Sequence, residues 1–131
     1  MDEAETRAAV EAYYAAVSAG EIEKVVAMFA PDAVMRDPVG HPPVLFDDAR
    51  RQRYAGIAAM FESFAIMPKV IYAAGTGEAA AAWTVVARSK VGKDVTFSGI
   101  STFEFTDDGR IRDMSAYFDL TRLAFGGEAG R

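Results

Sequence analysis

Cysteine is absent from the 131 residues. Its absence excludes a disulfide framework, a thiol nucleophile and any thiolate metal site. Histidine occurs once, as His41, so a multi-histidine zinc site is excluded as well. There is no basic excess: 14 Lys+Arg stand against 19 Asp+Glu, a net charge of -5. With no basic tract to offset that balance, nucleic acid and anionic membrane are poor partners. No stretch approaches the ~18 consecutive apolar residues of a membrane span. The opening Met-Asp-Glu-Ala-Glu lacks the basic start and apolar run of a secretory leader, and its acids do not suit a transit peptide. The expected location is the cytoplasm. What remains is a composition 51% apolar and 25% charged, which folds rather than staying disordered. The length suits one domain, expected over residues 1–125 with a frayed tail at 126–131.

The first half of the chain carries helical spacing. Asp2 and Glu5 form a capping-box pattern ahead of Val10, Tyr13, Tyr14 and Val17, which recur at i, i+3, i+4, i+7. A helix over 2–18, closed by Gly20, follows. A second helix is expected from Glu21 to Ala30, broken by Pro31 and Asp32, then a short strand over Ala33–Asp37. Asp37-Pro38-Val39-Gly40-His41-Pro42-Pro43 reads as a rigid loop. A third helix is expected over 47–64, stopped by Pro68, with Arg50, Arg51 and Arg53 on a solvated face.

The second half switches to period two. Val70–Ala74, Ala79–Ser89, Val95–Phe105 and Ile111–Leu120 read as strands, with turns at Gly75–Gly77, Val91–Asp94 and Asp107–Arg110. Helices followed by an antiparallel meander make an α+β domain. If the sheet curls into a half-cone capped by the helices, a small-ligand pocket forms inside. Strand parity puts Val95, Phe97, Gly99, Ser101, Phe103 and Phe105 on one side, and Met114, Ala116 and Phe118 on the matching side of the last strand. The expected interior is a hydrophobic cavity walled by Phe97, Phe103, Met114 and Phe118. Gly99 would leave room in it, and Ser101 would be the polar group on that side.

Two residue types in this layout can carry chemistry. Asp37 ends a strand directly before proline, which holds it extended. Aimed into an apolar pocket, its charged form would be disfavoured, and it would serve as a general base near neutral pH. Asp-Pro is equally an ordinary turn opener. Tyr13 and Tyr14 lie about 100° apart around the first helix, so either can carry a phenol inward, or sit at the helix–sheet boundary. His41 is expected to face solvent, Trp83 to pack in the sheet, and Asp119 to lie opposite the cavity.

These residues carry a resemblance. Val10–Glu21, Val25–Ala33 and above all Asp37-Pro38-Val39-Gly40-His41-Pro42-Pro43 resemble the bacterial ketosteroid isomerases (steroid delta-isomerases). That family lies within the nuclear-transport-factor-2-like superfamily of SnoaL-like polyketide cyclases. A weaker match runs over Glu78–Phe118, and residues 44–77 fit poorly. The resemblance implies a cone-shaped curved sheet, antiparallel or mixed, with about three N-terminal helices capping a pocket. It implies Asp37 as a base moving a proton between two carbons of an enone system. It implies Tyr13 as the oxyanion donor, with Phe61 or Tyr54 in the place of a supporting tyrosine. The family's second donor is a carboxylic acid kept protonated by an apolar site; that position falls on Ser101 here. This acid–base logic is the handling of tuned carboxyl groups known for ketosteroid isomerase itself. No cofactor or metal is implied. A small hydrophobic ligand, steroid or polyketide-like, is the implied substrate. A homodimer is implied through the outer sheet face of Thr96, Ser98, Ile100 and Thr102. A polyketide cyclase and a non-catalytic binding module are the alternatives.

Overall fold

A computed structural model describes residues 1–119 and the short strand at 124–125. Leu120, expected to end the last strand, and the tail at 126–131 lie outside the described residues. The elements run α1 (Glu3–Ser18), α2 (Ile22–Ala27), β1 (Phe29–Arg36), α3 (Asp47–Met60), β2 (Phe61–Ala73), β3 (Glu78–Ser89), β4 (Asp94–Phe105), β5 (Ile111–Tyr117) and β6 (Ala124–Phe125). The sheet order is β1-β5-β4-β3-β2, with β6 paired to β4 off that path. β1 runs parallel to β5, whereas β5, β4, β3 and β2 pair antiparallel in turn. The result is the expected α+β architecture, an open mixed sheet with helices on one face.

Local chemistry explains most element ends. The α1 capping box is formed: the Glu5 backbone N–H donates to Asp2 Oδ1 at 2.7 Å, and the Asp2 N–H donates to Glu5 Oε1 at 3.1 Å. Gly20 follows the helix with φ 69°, a conformation that favours glycine. Along its length α1 is fixed to β2. Arg7 donates to the Ile71 carbonyl at 2.7 Å, and Ser18 Oγ both donates to the Ile66 carbonyl and accepts from its N–H.

Two boundaries differ from the sequence expectation. The second helix stops at Ala27, and Phe29 and Ala30 open β1 instead. Ala30 precedes Pro31, and a residue in that position is driven out of the helical region. The third helix stops at Met60, and 61–69 extend β2 along the whole of β3. Pro68 therefore lies within a strand. It sits on the sheet's edge where the β2–β3 register shifts, the place a residue with no N–H is tolerated.

The arginine face also differs. Arg51 is half-exposed and pairs with Glu23 and Asp48. Arg50 is fully buried. It donates to the carbonyls of Ala33 (2.9 Å), Pro31 (3.2 Å) and Ala30 (3.4 Å), pairs with Asp47 at 2.9 Å, and lies over the Phe29 ring. The β1–β5 register slips between Phe29 and Val34, so these carbonyls lie at a break in the ladder. A guanidinium fork supplies the donors that the ladder does not.

Candidate active site

A cavity of about 190 Å³ lies between α1, α3 and the helix-covered face of the sheet. Its walls are apolar. Val17, Ile57 and Phe61 come from the helical side and the start of β2, and Val85, Val95 and Ala116 from the sheet. Trp83, Phe97 and Phe118 form one aromatic corner, with ring centroids 5.5–5.8 Å apart. Phe97, Met114 and Phe118 line the cavity as expected. Phe103 does not. It lies behind the tyrosines, edge-on to Tyr13 (5.5 Å) and Tyr14 (5.9 Å) and stacked on Phe105. Parity gave its face correctly, but α1 covers that part of the sheet. Phe103 supports the rings that reach the cavity.

Asp37 follows β1 and lines the cavity. The backbone on both sides of it is pinned. Met35 exchanges backbone hydrogen bonds with Val44 at 3.0 and 2.7 Å, and the Val39 N–H donates to the Ala116 carbonyl at 2.8 Å. The Asp37 side chain is only 14% exposed. Burial raises its pKa above the ordinary carboxylate value, and the charge of Arg53 offsets part of that rise. The ion pair is loose, with Arg53 Nη2 3.6 Å from Asp37 Oδ2. Arg53 is thus a cavity residue, not part of a solvated face.

Tyr13 lines the same cavity from α1. Its hydroxyl lies 2.7 Å from the Tyr54 hydroxyl of α3, whose other neighbour is Met35 Sδ at 3.5 Å. A thioether is a weak acceptor. Either hydroxyl can donate in this pair; with Tyr54 as the donor, the Tyr13 proton is free for a ligand oxygen. Burial, Tyr54 and the charge of Asp37 all push the Tyr13 pKa well up, so its hydroxyl stays a donor. Tyr54, not Phe61, supports Tyr13; Phe61 is wall.

Ser101 lines the cavity from β4 and is buried, accepting a hydrogen bond from Trp83 Nε1 at 2.9 Å. Tyr14 is buried beside it, with a hydroxyl that has no hydrogen-bond partner. Gly99 leaves room for Trp83 rather than for a ligand: a Cβ there would stand 2.6 Å from Trp83 Cζ2 and 2.5 Å from the Tyr117 carbonyl oxygen. His41 and Asp119 are exposed and outside the cavity. The structure thus brings together Tyr13, Asp37, Ser101, Phe97, Met114 and Phe118, and leaves out Phe103.

The sequence reading puts Trp83 in sheet packing and Arg53 on a solvated face, yet each carries a signal for the cavity. Trp83 shares its parity with Ala79, Ala81, Val85 and Ala87, the buried face of β3, and sits opposite Gly99 in the register. Arg50, Arg53, Tyr54 and Ile57 fall at i, i+3, i+4, i+7, the stripe that α3 turns inward.

Residues 10–114 match the family model of the SnoaL-like domain. A steroid Delta-isomerase of Nocardioides simplex is 30% identical over 115 residues, which cover 88% of this chain and 90% of that protein. Among solved structures, SalBIII is similar in fold. It is described as an epoxide hydrolase/cyclase-like enzyme with a role in pyran ring formation in the polyether salinomycin. The TM-score is 0.83 at 23% identity, covering 93% of this chain and 96% of that one.

Proposed function

Since the chain belongs to the SnoaL-like domain family, we propose that it is a steroid delta-isomerase-like enzyme. It would move a proton within a β,γ-unsaturated ketone without a cofactor. One observation carries this reading: Asp37 and Tyr13 line the same apolar cavity. The isomerase relative supports the choice of reaction.

Asp37 removes the proton from the carbon between the carbonyl and the C=C bond. The C–H electron pair moves into the ketone, and a dienolate forms with its charge on the oxygen. Tyr13 donates a hydrogen bond to that oxygen, with Tyr54 donating to Tyr13 behind it, and Ser101 assists. Protonated Asp37 then returns its proton to the γ carbon, leaving a conjugated enone and the original carboxylate. Atoms and charge balance without a co-reactant. Burial suits Asp37 to the task, because a raised pKa strengthens the base. Trp83, Phe97, Met114 and Phe118 would hold a flat hydrophobic substrate.

The test is conjugated-enone absorbance with a Δ5-3-ketosteroid. Wild-type turnover should vanish in Asp37→Asn and fall roughly 10²–10³-fold in Tyr13→Phe, the usual cost of one oxyanion donor. Absence of wild-type turnover would refute the isomerase and favour a cyclase or a binding module.

The protein would act as a homodimer through the outer face of the sheet. There the register aligns Val70, Ala82, Ile100 and Tyr117 in one row across β2, β3, β4 and β5. Ile100 and Tyr117 are about half exposed in the single chain, an apolar stripe that a second copy would cover.

A further inference from the structure

One hydroxyl of the cavity has no part in the reaction as written. Tyr14 is 1% exposed and lines the same cavity as Tyr13 and Asp37. Its hydroxyl oxygen is buried without a hydrogen-bond partner. Leaving a buried polar group unpaired costs folding free energy. A phenylalanine would fill the same space without that cost, so the oxygen has no structural justification in the chain by itself.

Its surroundings keep the phenol protonated, the form that donates a hydrogen bond to a ligand. Ser101 Oγ already accepts from the Trp83 indole at 2.9 Å, so its own proton is directed elsewhere. It lies close enough to Tyr14 to lower the phenol's pKa, without closing a hydrogen bond to it; burial outweighs that effect and holds the pKa above the ordinary value. The Tyr14 hydroxyl is therefore protonated, buried, and without a hydrogen-bond partner of its own. Its ring is as firmly placed as that of Tyr13. The two centroids are 5.1 Å apart, and both rings stand edge-on to Phe103.

We propose that Tyr14, backed by Ser101 and Trp83, is a second oxyanion donor, giving its phenolic hydrogen bond to the substrate oxygen that Tyr13 also binds. The proposal rests on the isomerase reading and deepens it. A serine hydroxyl is a short, weakly acidic substitute for a carboxylic acid, whereas a phenol is a longer and more acidic donor. Position 14 would supply what position 101 lacks, with Ser101 acting through it as a positioning residue.

The test compares Tyr14→Phe with Tyr13→Phe and wild type. It measures calorimetric binding of 2-naphthol, a planar mimic of the dienolate, together with turnover of the Δ5-3-ketosteroid and the melting temperature. The expected result for Tyr14→Phe is about tenfold weaker 2-naphthol binding and roughly 10²-fold lower kcat, with a melting temperature unchanged or raised. Ser101→Ala should weaken 2-naphthol binding by a smaller factor, which keeps the proposal open to test if Tyr14→Phe folds poorly. Loss of binding in Tyr13→Phe but not in Tyr14→Phe or Ser101→Ala overturns the proposal and leaves the isomerase reading standing. A lowered melting temperature with 2-naphthol affinity intact assigns Tyr14 a structural role and also overturns it. Failure of wild type to bind 2-naphthol overturns both.

Discussion

Gly99→Ala is the sharpest probe of the aromatic corner. The added methyl would stand 2.5 Å from the Tyr117 carbonyl oxygen and 2.6–2.7 Å from Trp83 Cζ2 and Cη2. Neither neighbour yields freely. The oxygen belongs to the backbone of β5, which pairs with β4 at Ile100↔Tyr117, and the indole is packed against Phe97 and Phe118. Overpacking of this kind costs about 1–3 kcal/mol, and the rigid backbone contact puts it near the top of that range. Replacing a strand glycine returns roughly 0.5–1 kcal/mol of backbone entropy. The net loss is about 1–2 kcal/mol, or about 4–8 °C in Tm for a domain of this size. Trp83 is the chain's single tryptophan, so its emission reports the displacement directly. The variant should show a lower Tm, shifted tryptophan emission and weaker 2-naphthol binding, because moving the indole pulls its N–H from Ser101. Trp83→Phe, which shortens the clashing ring, should recover part of the loss when combined with Gly99→Ala. A variant with unchanged Tm and emission would refute the reasoning.

Three further outcomes follow from the geometry. Arg53 lowers the Asp37 pKa against the rise from burial, so Arg53→Met should raise it. The acid limb of kcat/KM, which needs ionised Asp37, should then move to higher pH, while Arg53→Lys should hold it near the wild-type position; a limb that stays put or moves to lower pH contradicts the pairing. Arg50→Met leaves the carbonyls of Ala30, Pro31 and Ala33 without their donor, at about 1–3 kcal/mol for each one left unsatisfied. The urea midpoint should drop by the equivalent of at least about 3 kcal/mol, and Arg50→Lys should not restore it, because an ammonium lacks the fork; a drop under about 1 kcal/mol would mean that water replaces the guanidinium. Ile100→Asp places a charge in the outer apolar row and should convert a dimer to a monomer in light scattering, with unaltered circular dichroism.

Features set by residues close in sequence agree with the structure. The Asp2/Glu5 box and Gly20 define α1 from within one turn of their own positions. Alternation in β3 and β4 assigned the buried faces before any partner was known. The errors sit where distant segments decide. Nothing in Ala58-Ala59-Met60-Phe61-Glu62-Ser63-Phe64 stops a helix; the chain leaves α3 because Phe61 onward finds a ladder on β3. Phe29 fits the spacing of α2, but Pro31 and the pairing with Ile111 claim it for β1. Arg50 looked like surface because a buried arginine needs a specific set of unpaired carbonyls, and only the β1 register slip creates them. That Asp37 and Tyr13 meet at one cavity agrees with the motif and the resemblance. The state of Tyr14 was not legible, since an orphaned hydroxyl is a property of three-dimensional neighbours: Ser101, Trp83 and Phe103 come from two other strands.

The cavity's charge balance shows why these residue types suit one another. Among the residues lining it, Asp37 is the one carboxylate and Arg53 the one cation, and the remaining polar groups are neutral hydroxyls and an indole. The negative charge of Asp37 helps raise the pKa of Tyr13, Tyr14 and Tyr54 alike. Burial first, and the Asp37 charge after it, keep the phenols protonated, the form in which they donate. On the proposed reaction, proton abstraction neutralises Asp37 at the moment an anion develops on the substrate oxygen. The total charge of the cavity is unchanged, so no counterion or water has to enter an apolar space. What changes is the location of the charge: it leaves a carboxylate whose ionised form burial disfavours and arrives at an oxygen faced by hydroxyl donors. Charge migration of that kind is worth most in a dry site whose donors are already oriented. On that reading the 3.6 Å separation of Arg53 from Asp37 suits the base. A closer guanidinium would keep the charge on Asp37 and weaken the base.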